Sequence, residues 1–247
     1  MPTELHQRAK TYPYPIPDHS YIYRDGTFDR LNPGDSLPDL QGRRPVLAVG
    51  SNQSPQQLAR KFPAATKQGQ PGWGDIPVIR VGLKDFDTVY SPHLTAYGSV
   101  PATLQHAPGT TVTLFVNWLT AEQETWMHQT EVSAANYLFG QLEGVEIIPE
   151  IGDVMTSACV YRGERGVLLK DGEPVPLAEV PADNRRWQAM DQKQALSFVR
   201  DHTDPSEELD NYILETVNNP QTRKQRTRHL EEISQPFSFP GFVAVPI

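Results

Sequence analysis

The stretch that decides the predicted fold is residues 45–52, which read Pro45-Val46-Leu47-Ala48-Val49-Gly50-Ser51-Asn52. Its first half is a short apolar run, which is typical of a buried strand. In its second half, a glycine lets the backbone turn and a ligand approach closely, and successive free N–H groups form a concavity that binds anions. Such a loop could hold a carboxylate or a developing oxyanion, although Gly-Ser-Asn is also an ordinary turn sequence.

A helix is predicted directly after this loop. Ser54 can cap it, Pro55 suits the first helical position, and Gln57 completes a capping box. Leu58 and Phe62 are four residues apart and therefore share one face of the helix. The sequence thus predicts a strand, a polar loop and a helix in succession.

Several strands and a second helix are predicted downstream. Strand-like runs cover 77–83, 87–90 and 94–99, and the clearest strand is 112–118, because β-branched and aromatic residues dominate it. The helix at 120–130 begins with its own capping box, Thr120-Ala121-Glu122-Gln123.

Glu131 is the candidate catalytic residue, because it ends that helix beside the apolar face. A carboxylate partly withdrawn from water suits proton transfer. The alternative is a glutamate that simply faces solvent at a helix end. An acid in the last turn interacts slightly unfavourably with the helix dipole, which favours a role other than stability.

The flanking segments differ in character from this central part. Residues 1–44 are rich in proline and turn sequences, which predicts an arm without regular hydrogen bonding that packs on the domain through its tyrosines. Residues 144–180 predict strands and a hairpin that turns at Lys170-Asp171-Gly172-Glu173. Three helices are expected over 191–234, with caps at Asp191, Asp204 and Asn219 and with Pro205 and Pro220 at first helical positions.

Composition excludes several classes of protein. Lys and Arg total 22 against 30 Asp and Glu, a net charge of −8, which argues against nucleic acid as the main partner. The single cysteine, Cys159, fits a reducing compartment and lies in an apolar run, so a buried thiol is expected. No run is long and apolar enough to cross a membrane, and the first residues do not resemble a signal peptide, so a cytoplasmic location is predicted.

The sequence contains no recognisable motif for binding a metal ion or an organic cofactor. The seven histidines never come at the H-x₃₋₅-H spacing of metal sites, and there is no cysteine pair. No P-loop, G-x-G-x-x-G or G-x-S-x-G motif occurs. We therefore expect no metal and no organic cofactor, and the oligomeric state is left open.

In the order and spacing of their motifs, residues 45–140 resemble the γ-glutamylcyclotransferase superfamily. That family carries a Tyr-Gly-Ser-Asn loop after its first strand, a helix, a Gly/Ala-Thr stretch, a strand rich in Val and Trp, and a helix that ends in a catalytic Glu, with a Tyr a few residues on. This chain matches with Gly50-Ser51-Asn52, Ala102-Thr103, the strand 112–118, and Thr130-Glu131 followed by Tyr137. Val49 stands where the family has its tyrosine.

The resemblance implies an α+β fold, a compact mixed β-barrel of the γ-glutamylcyclotransferase-like type over 45–160. The arm 1–44 would precede it, and a hairpin with a helical extension would follow over 161–247. It also implies release of 5-oxoproline from a small γ-glutamyl substrate. Glu131 would be the catalytic residue, and the substrate-binding residues would be Val49, Gly50, Ser51, Asn52 and Tyr137.

Two other functions remain open at this stage. The chain could be a catalytically silent small-molecule-binding or sensing domain on the same fold, or a scaffold that acts through its C-terminal helices. A pocket between Glu131 and the 50–52 loop would favour the enzyme. The same pocket with Glu131 paired to Arg or turned outward would favour the silent domain, and a filled barrel would favour the scaffold.

Overall fold

The computed structural model describes residues 2–64, 72–131 and 136–247. A five-stranded barrel forms its centre, and the barrel strands are β3 (Arg44–Ala48), β4 (Ile76–Tyr90), β5 (Ala102–Leu119), β6 (Tyr137–Pro149) and β7 (Met155–Gly163). Their order is β5-β3-β7-β6-β4, and β4 pairs again with β5 to close the barrel. Only β3 and β7 pair in parallel among these five, so the barrel is mixed.

Short strands extend this sheet at several edges. The pair β1 (Tyr21–Arg24) and β2 (Thr27–Arg30) adds to β4, β10 (Ala182–Asp183) adds to β5, and β12 (Phe242–Ala244) adds to β6. A separate small sheet joins β8 (Val167–Lys170), β9 (Glu173–Pro174) and β11 (Ser234–Gln235).

In the residues that the structure describes, six helices lie around the barrel. They are α1 (Pro2–Lys10), α2 (Pro55–Lys61), α3 (Ala121–Glu131), α4 (Gln192–Thr203), α5 (Leu209–Asn218) and α6 (Pro220–Glu231), and a 3-10 turn occupies Ser51–Gln53. Together with the barrel they confirm the predicted α+β class and the mixed barrel with a hairpin and helical extension. The division of the chain at residues 44 and 160 stays a prediction.

Alternation along β3 places its side chains in two cores, as expected for a strand with a period of two. Leu47 and Val49 belong to the larger core. Val46 and Ala48 face a second core that α2 and α3 cover with apolar side chains, among them Leu58, Phe62 and Met127. The central strand thereby fixes the position of the loop that follows it.

Some local expectations are confirmed. The capping box of α3 forms, because Thr120 N–H donates to Gln123 Oε1 at 2.9 Å and Gln123 N–H donates to Thr120 Oγ1 at 3.3 Å. Asp191 and Asn219 cap α4 and α6. The β8–β9 hairpin turns at Asp171 and Gly172, both with positive φ, as a type I′ turn requires. Cys159 is buried, and this burial raises the pKa of its thiol to about 11.

Other expectations are wrong. The arm contains helix α1 and the β1–β2 hairpin, although its tyrosines 12, 14, 21 and 23 are buried as expected. Residues 94–99 form a turn instead of a strand, because Gly98 adopts a φ of +85°. Helix α5 begins at Leu209, not at Pro205, and Ser54 makes no capping bond with its side chain. In the part of the chain that the structure describes, no helix combines the length and apolar character needed to cross a membrane.

Candidate functional site

The loop after β3 is held in place by its own hydrogen bonds. Gln53 N–H donates to Gly50 O at 3.2 Å, and Ser54 N–H donates to Ser51 O at 2.9 Å. The side-chain Nε2 of Gln53, which is buried, donates to Val49 O at 3.1 Å and to Gly50 O at 3.2 Å. Since the first 3-10 bond comes from Gln53, the N–H groups of Ser51 and Asn52 precede it and have no partner within the turn.

Gly50 is required by space rather than by backbone conformation. Its φ of −123° is one that any residue can adopt. A Cβ added there would collide with the hydroxyl of Tyr12 and would lie 3.2 Å from Ala102 Cβ. The N-terminal arm therefore reaches this loop and packs directly on the glycine.

Glu131 lies against the same loop from the end of α3. Its carboxylate is 14% exposed and accepts a hydrogen bond from Asn52 Nδ2 at 2.8 Å. The backbone oxygen of Asn52 in turn accepts from Asn117 Nδ2 at 3.2 Å, which ties the loop to the barrel strand β5. Asn52 thus connects the candidate catalytic carboxylate to the barrel.

A lysine that the sequence did not single out completes the surroundings of Glu131. Lys61 is the last residue of α2, its side chain is 9% exposed, and its ammonium group forms an ion pair with Glu131. Both Lys61 and Asn52 bond the same carboxylate oxygen, Oε1. Lys61 Nζ also contacts Met127 Sδ at 3.5 Å, so the cation lies over the helix that carries Glu131.

A small cavity of about 40 Å³ lies between these groups. It has room for no more than a few water molecules, far less than the roughly 300 Å³ of a typical small ligand site. Every residue predicted to form the site contributes to its wall, together with four that were not predicted. The lining residues are Tyr12, Leu47, Val49, Gly50, Ser51, Asn52, Ala102, Glu131, Tyr137 and Tyr161.

Tyrosine hydroxyls form much of the polar surface near the cavity. Burial raises the pKa of Tyr12, Tyr137 and Tyr161 well above the ordinary tyrosine value, and the charge of Glu131 raises it further. These hydroxyls therefore keep their protons at neutral pH and can act only as neutral donors or acceptors. Tyr137 donates to Ala102 O at 3.1 Å, and the Tyr161 hydroxyl lies 2.8 Å from His128 Nδ1.

Larger cavities lie elsewhere on the molecule. One of about 350 Å³ lies near the β8–β9 hairpin and is lined by Lys170, Glu173 and Trp187 among others. It is larger, but it lacks the arrangement of a buried carboxylate, a cation and free backbone N–H groups around one point. Converging polar groups identify a site better than volume does.

One group of carboxylates in the described residues has the spacing of a metal site. Ligand atoms of Asp204, Glu207 and Glu215 lie within 4.8 Å of one another. Arg226 Nη2 already binds Asp204 at 2.9 Å and Glu215 at 2.8 Å. A protein cation therefore fills the position that a metal ion would take.

The structure thus brings Val49, Gly50, Ser51, Asn52, Glu131 and Tyr137 around one cavity, while their roles stay predictions. Sequence reasoning missed Tyr12, Lys61 and Tyr161. The sequence did predict that Tyr12 is buried, together with the other arm tyrosines, but it did not indicate against which part of the domain. For Lys61 no local pattern distinguishes it from any lysine at the end of an amphipathic helix.

Comparison with known proteins gives matches among solved structures only. No family model and no curated protein matches the chain. A structure described as gamma-glutamyl cyclotransferase is 12% identical, with a TM-score of 0.38, and the match covers 81% of this chain and 92% of that one. An uncharacterized protein from Homo sapiens is also 12% identical, with a TM-score of 0.40 and coverage of 81% and 93%. YkqA from Bacillus subtilis is 13% identical, with a TM-score of 0.35 and coverage of 96% and 76%. Identities and TM-scores this low assign no activity.

Proposed function

We propose that this protein is an enzyme that releases 5-oxoproline from a γ-glutamyl amine or peptide by intramolecular aminolysis. The observation that carries the proposal is the position of Glu131. Its largely buried carboxylate lies within hydrogen-bond distance of the loop Gly50-Ser51-Asn52, at a cavity of the barrel. That loop offers donors for negative charge, and the carboxylate offers a base.

In the proposed reaction the α-amine of the glutamyl group attacks its own γ-carbonyl carbon. The new C–N bond closes a five-membered lactam, and the original amide C–N bond breaks. Because attack within one molecule is already unimolecular, the protein mainly has to fold the glutamyl chain into a reactive geometry. The polar groups that converge on the cavity suit that task.

Glu131 can perform both proton transfers of this reaction. It would first accept a proton from the α-ammonium group, which frees the amine for attack, and would later return that proton to the departing amine, so that no net proton is consumed. The N–H groups of Ser51 and Asn52 would bind either the oxyanion or the substrate carboxylate. Tyr137, fixed by its bond to Ala102, would orient the substrate.

Lys61 has to release Glu131 before this chemistry can begin. The ammonium group of the substrate carries the same charge as Lys61 and would take its place on the carboxylate. The cavity of about 40 Å³ must also widen to admit a glutamyl group. We therefore expect binding to separate the end of α2 from the end of α3.

A silent binding or sensing domain is the second candidate, and the Lys61–Glu131 ion pair is the observation that favours it. A base that is permanently paired to a buried cation takes no further proton. The binding function would keep the loop and the cavity but would leave the γ-glutamyl bond intact.

The test is 5-oxoproline release from a panel of γ-glutamyl amines, γ-glutamyl amino acids and glutathione, with wild type compared with Glu131→Gln. The amide keeps the size of the carboxylate but cannot take a proton at neutral pH. We expect the rate to fall by about 10²–10⁴-fold with substrate affinity nearly unchanged.

Glu124→Gln is the matched control. Glu124 lies two turns earlier on α3, is similarly buried, and pairs with Arg44 at 2.9 Å outside the cavity. It should retain the wild-type rate. Equal rates for wild type and Glu131→Gln would remove Glu131 from the mechanism, and ligand binding without turnover by wild type would favour the silent domain.

A further inference from the structure

The N-terminal arm brings a tyrosine into the wall of the candidate site. Tyr12 is 3% exposed, lies against Gly50 and lines the same cavity as Glu131. Its hydroxyl oxygen accepts a hydrogen bond from Ala102 N–H at 2.9 Å. Ala102 O accepts a hydrogen bond from the Tyr137 hydroxyl at 3.1 Å, so one residue of β5 fixes two tyrosine hydroxyls.

The hydroxyl proton of Tyr12 has no acceptor among the residues that the structure describes. The bond from Ala102 uses a lone pair of the oxygen and leaves the O–H group available. Burial, together with the charges of Tyr97 and Glu131, raises the pKa of Tyr12 well above its ordinary value, so the proton stays on the oxygen. A buried donor without a partner costs about 1–3 kcal/mol, and this one lies in the wall of the candidate site.

We infer that Tyr12 is a further catalytic residue, whose O–H group donates a hydrogen bond to the carbonyl oxygen of the γ-glutamyl substrate and to the oxyanion that forms there. This inference rests on the proposed function. The oxygen of Tyr12 lies against Gly50, and Ser51 and Asn52 line the same cavity, so a carbonyl oxygen there would meet donors from both the arm and the loop. The proton remains on Tyr12 throughout, and no bond to the tyrosine is made or broken.

The arm also supplies a matched control. Tyr14 is equally buried, and its hydroxyl likewise lacks a partner in the described residues, but it does not line the cavity. The centroids of the Tyr14 and Tyr12 rings are 6.1 Å apart, and the Arg60 guanidinium lies over the Tyr14 ring, 4.3 Å from its centroid. Tyr14→Phe keeps both contacts and removes only a hydroxyl outside the site.

The experiment compares wild type, Tyr12→Phe and Tyr14→Phe in 5-oxoproline release, after circular dichroism and thermal unfolding have shown that each variant is folded. Loss of one oxyanion donor lowers kcat by about 10²–10³-fold. We expect that loss for Tyr12→Phe with KM nearly unchanged, and wild-type kcat for Tyr14→Phe. A purely structural role of Tyr12 would instead lower stability and leave kcat per folded molecule unchanged.

Failure of this inference and failure of the proposed function give different results. If wild type turns over a γ-glutamyl compound and Tyr12→Phe matches Tyr14→Phe, the inference is overturned and the function stands. If wild type turns over nothing, the function falls and the catalytic role of Tyr12 falls with it. Titration with 5-oxoproline then tests only the hydrogen bond to the carbonyl, which at least tenfold weaker binding by Tyr12→Phe than by wild type would support.

If Tyr12→Phe does not fold, a spectroscopic measurement on wild type can still overturn the inference. The infrared carbonyl stretch of ¹³C-labelled 5-oxoproline bound to wild type should shift to lower frequency than in water, because a buried O–H donor polarises the bond. A frequency equal to or higher than that in water overturns the inference.

Discussion

Asp87 and Glu131 are both largely buried carboxylates that face a cation, yet their surroundings differ. Asp87, on β4, is fully buried and accepts from Arg185 Nε at 2.9 Å and Arg185 Nη2 at 3.0 Å. It also accepts from Thr88 N–H at 2.9 Å, so both of its oxygens are bonded. Among the described residues, Glu131 receives bonds from Lys61 and Asn52 on one oxygen only.

The difference separates a structural pair from one that is available for chemistry. Arg185 holds Asp87 with two parallel bonds and donates as well to Val180 O at 2.7 Å, which fastens the segment before α4 to the barrel. Lysine is a point charge on a flexible stem and exchanges partners more easily. The Glu131 pair also borders a cavity and a buried acceptor, Asn52 Oδ1, that has no partner in the described part of the chain.

The largest effect on stability is expected from Arg185→Met. Burial raises the pKa of Asp87 even though Arg185 lowers it, so the carboxyl depends on its partner. Removing one partner of a buried pair costs about 3–5 kcal/mol, because the remaining charge is left without compensation. The free energy of unfolding in urea measures this loss.

Arg186→Met is the control for that measurement. The neighbouring residue is exposed and packs its guanidinium 5.7 Å from the Trp187 ring. Exposed substitutions of this kind change stability by no more than about 0.5 kcal/mol. Equal losses for the two variants would contradict a structural role for the Asp87 pair.

How far the sequence determines the fold can be judged element by element. Strands and caps that depend on local chemistry were predictable, as at Val112–Trp118, the capping box of α3, and Asp191. Failures occurred where tertiary contacts override a local preference. Asp204 does not cap the start of α5 but is the C-cap residue of α4, and its carboxylate binds Arg226 from α6 at 2.9 Å. The helix α1 was missed because Pro2 lies at its first position, where proline is compatible with a helix.

The sequence predicted the chemical groups of the candidate site, but it did not predict all of the residues that form it. Periodicity and the resemblance place Glu131 and the 50–52 loop together, since both follow elements with clear patterns. Tyr12 comes to the cavity from about 40 residues before that loop, and Lys61 comes from another helix. A single sequence carries no information about contacts of this kind, which depend on how the arm and α2 pack.

A smaller loss of stability is expected from Lys61→Met. The variant leaves Glu131 partly buried without its cation, but the bond from Asn52 Nδ2 and the partial exposure of the carboxylate remain. We therefore expect a loss of about 1–3 kcal/mol, the cost of a buried group that loses one partner. Urea unfolding measures it, and Lys61→Met/Glu131→Gln should lose less than the sum of the two single changes.

The surface pair Lys84–Glu146 provides the comparison for Lys61. Its side chains are 43% and 49% exposed, and pairs of this kind contribute about 0–1 kcal/mol. A loss for Lys61→Met as small as that for Lys84→Met would mean that the Glu131 pair contributes no more than a surface pair. The Glu131 and Asp87 pairs would then differ only in how far their side chains are exposed to solvent.

The last prediction concerns His93, a buried ionisable group that has no charged partner on its ring nitrogens in the described residues. It lies behind Tyr137, with ring centroids 5.9 Å apart, and its Nδ1 is 3.0 Å from Ser91 Oγ. Burial, with a further contribution from the nearby Arg165 charge, lowers the pKa of His93 to about 3. The native state therefore keeps this imidazole neutral, whereas Asp87 and Glu131 each face a cation.

This lowered pKa makes stability depend on pH in a defined direction. The unfolded chain takes up a proton on His93 below its ordinary pKa of about 6.5, and the native state does not. Stability from this group is complete above pH 6.5 and is lost as the pH falls toward 3, with a slope approaching about 1.4 kcal/mol per pH unit.

Urea unfolding of wild type and His93→Gln between pH 7 and pH 4 should show a shallower slope in the variant. His202→Gln, at an exposed position, should keep the wild-type slope. Identical slopes for wild type and His93→Gln would show that His93 is protonated in the native state, and that this buried group does have a compensating partner.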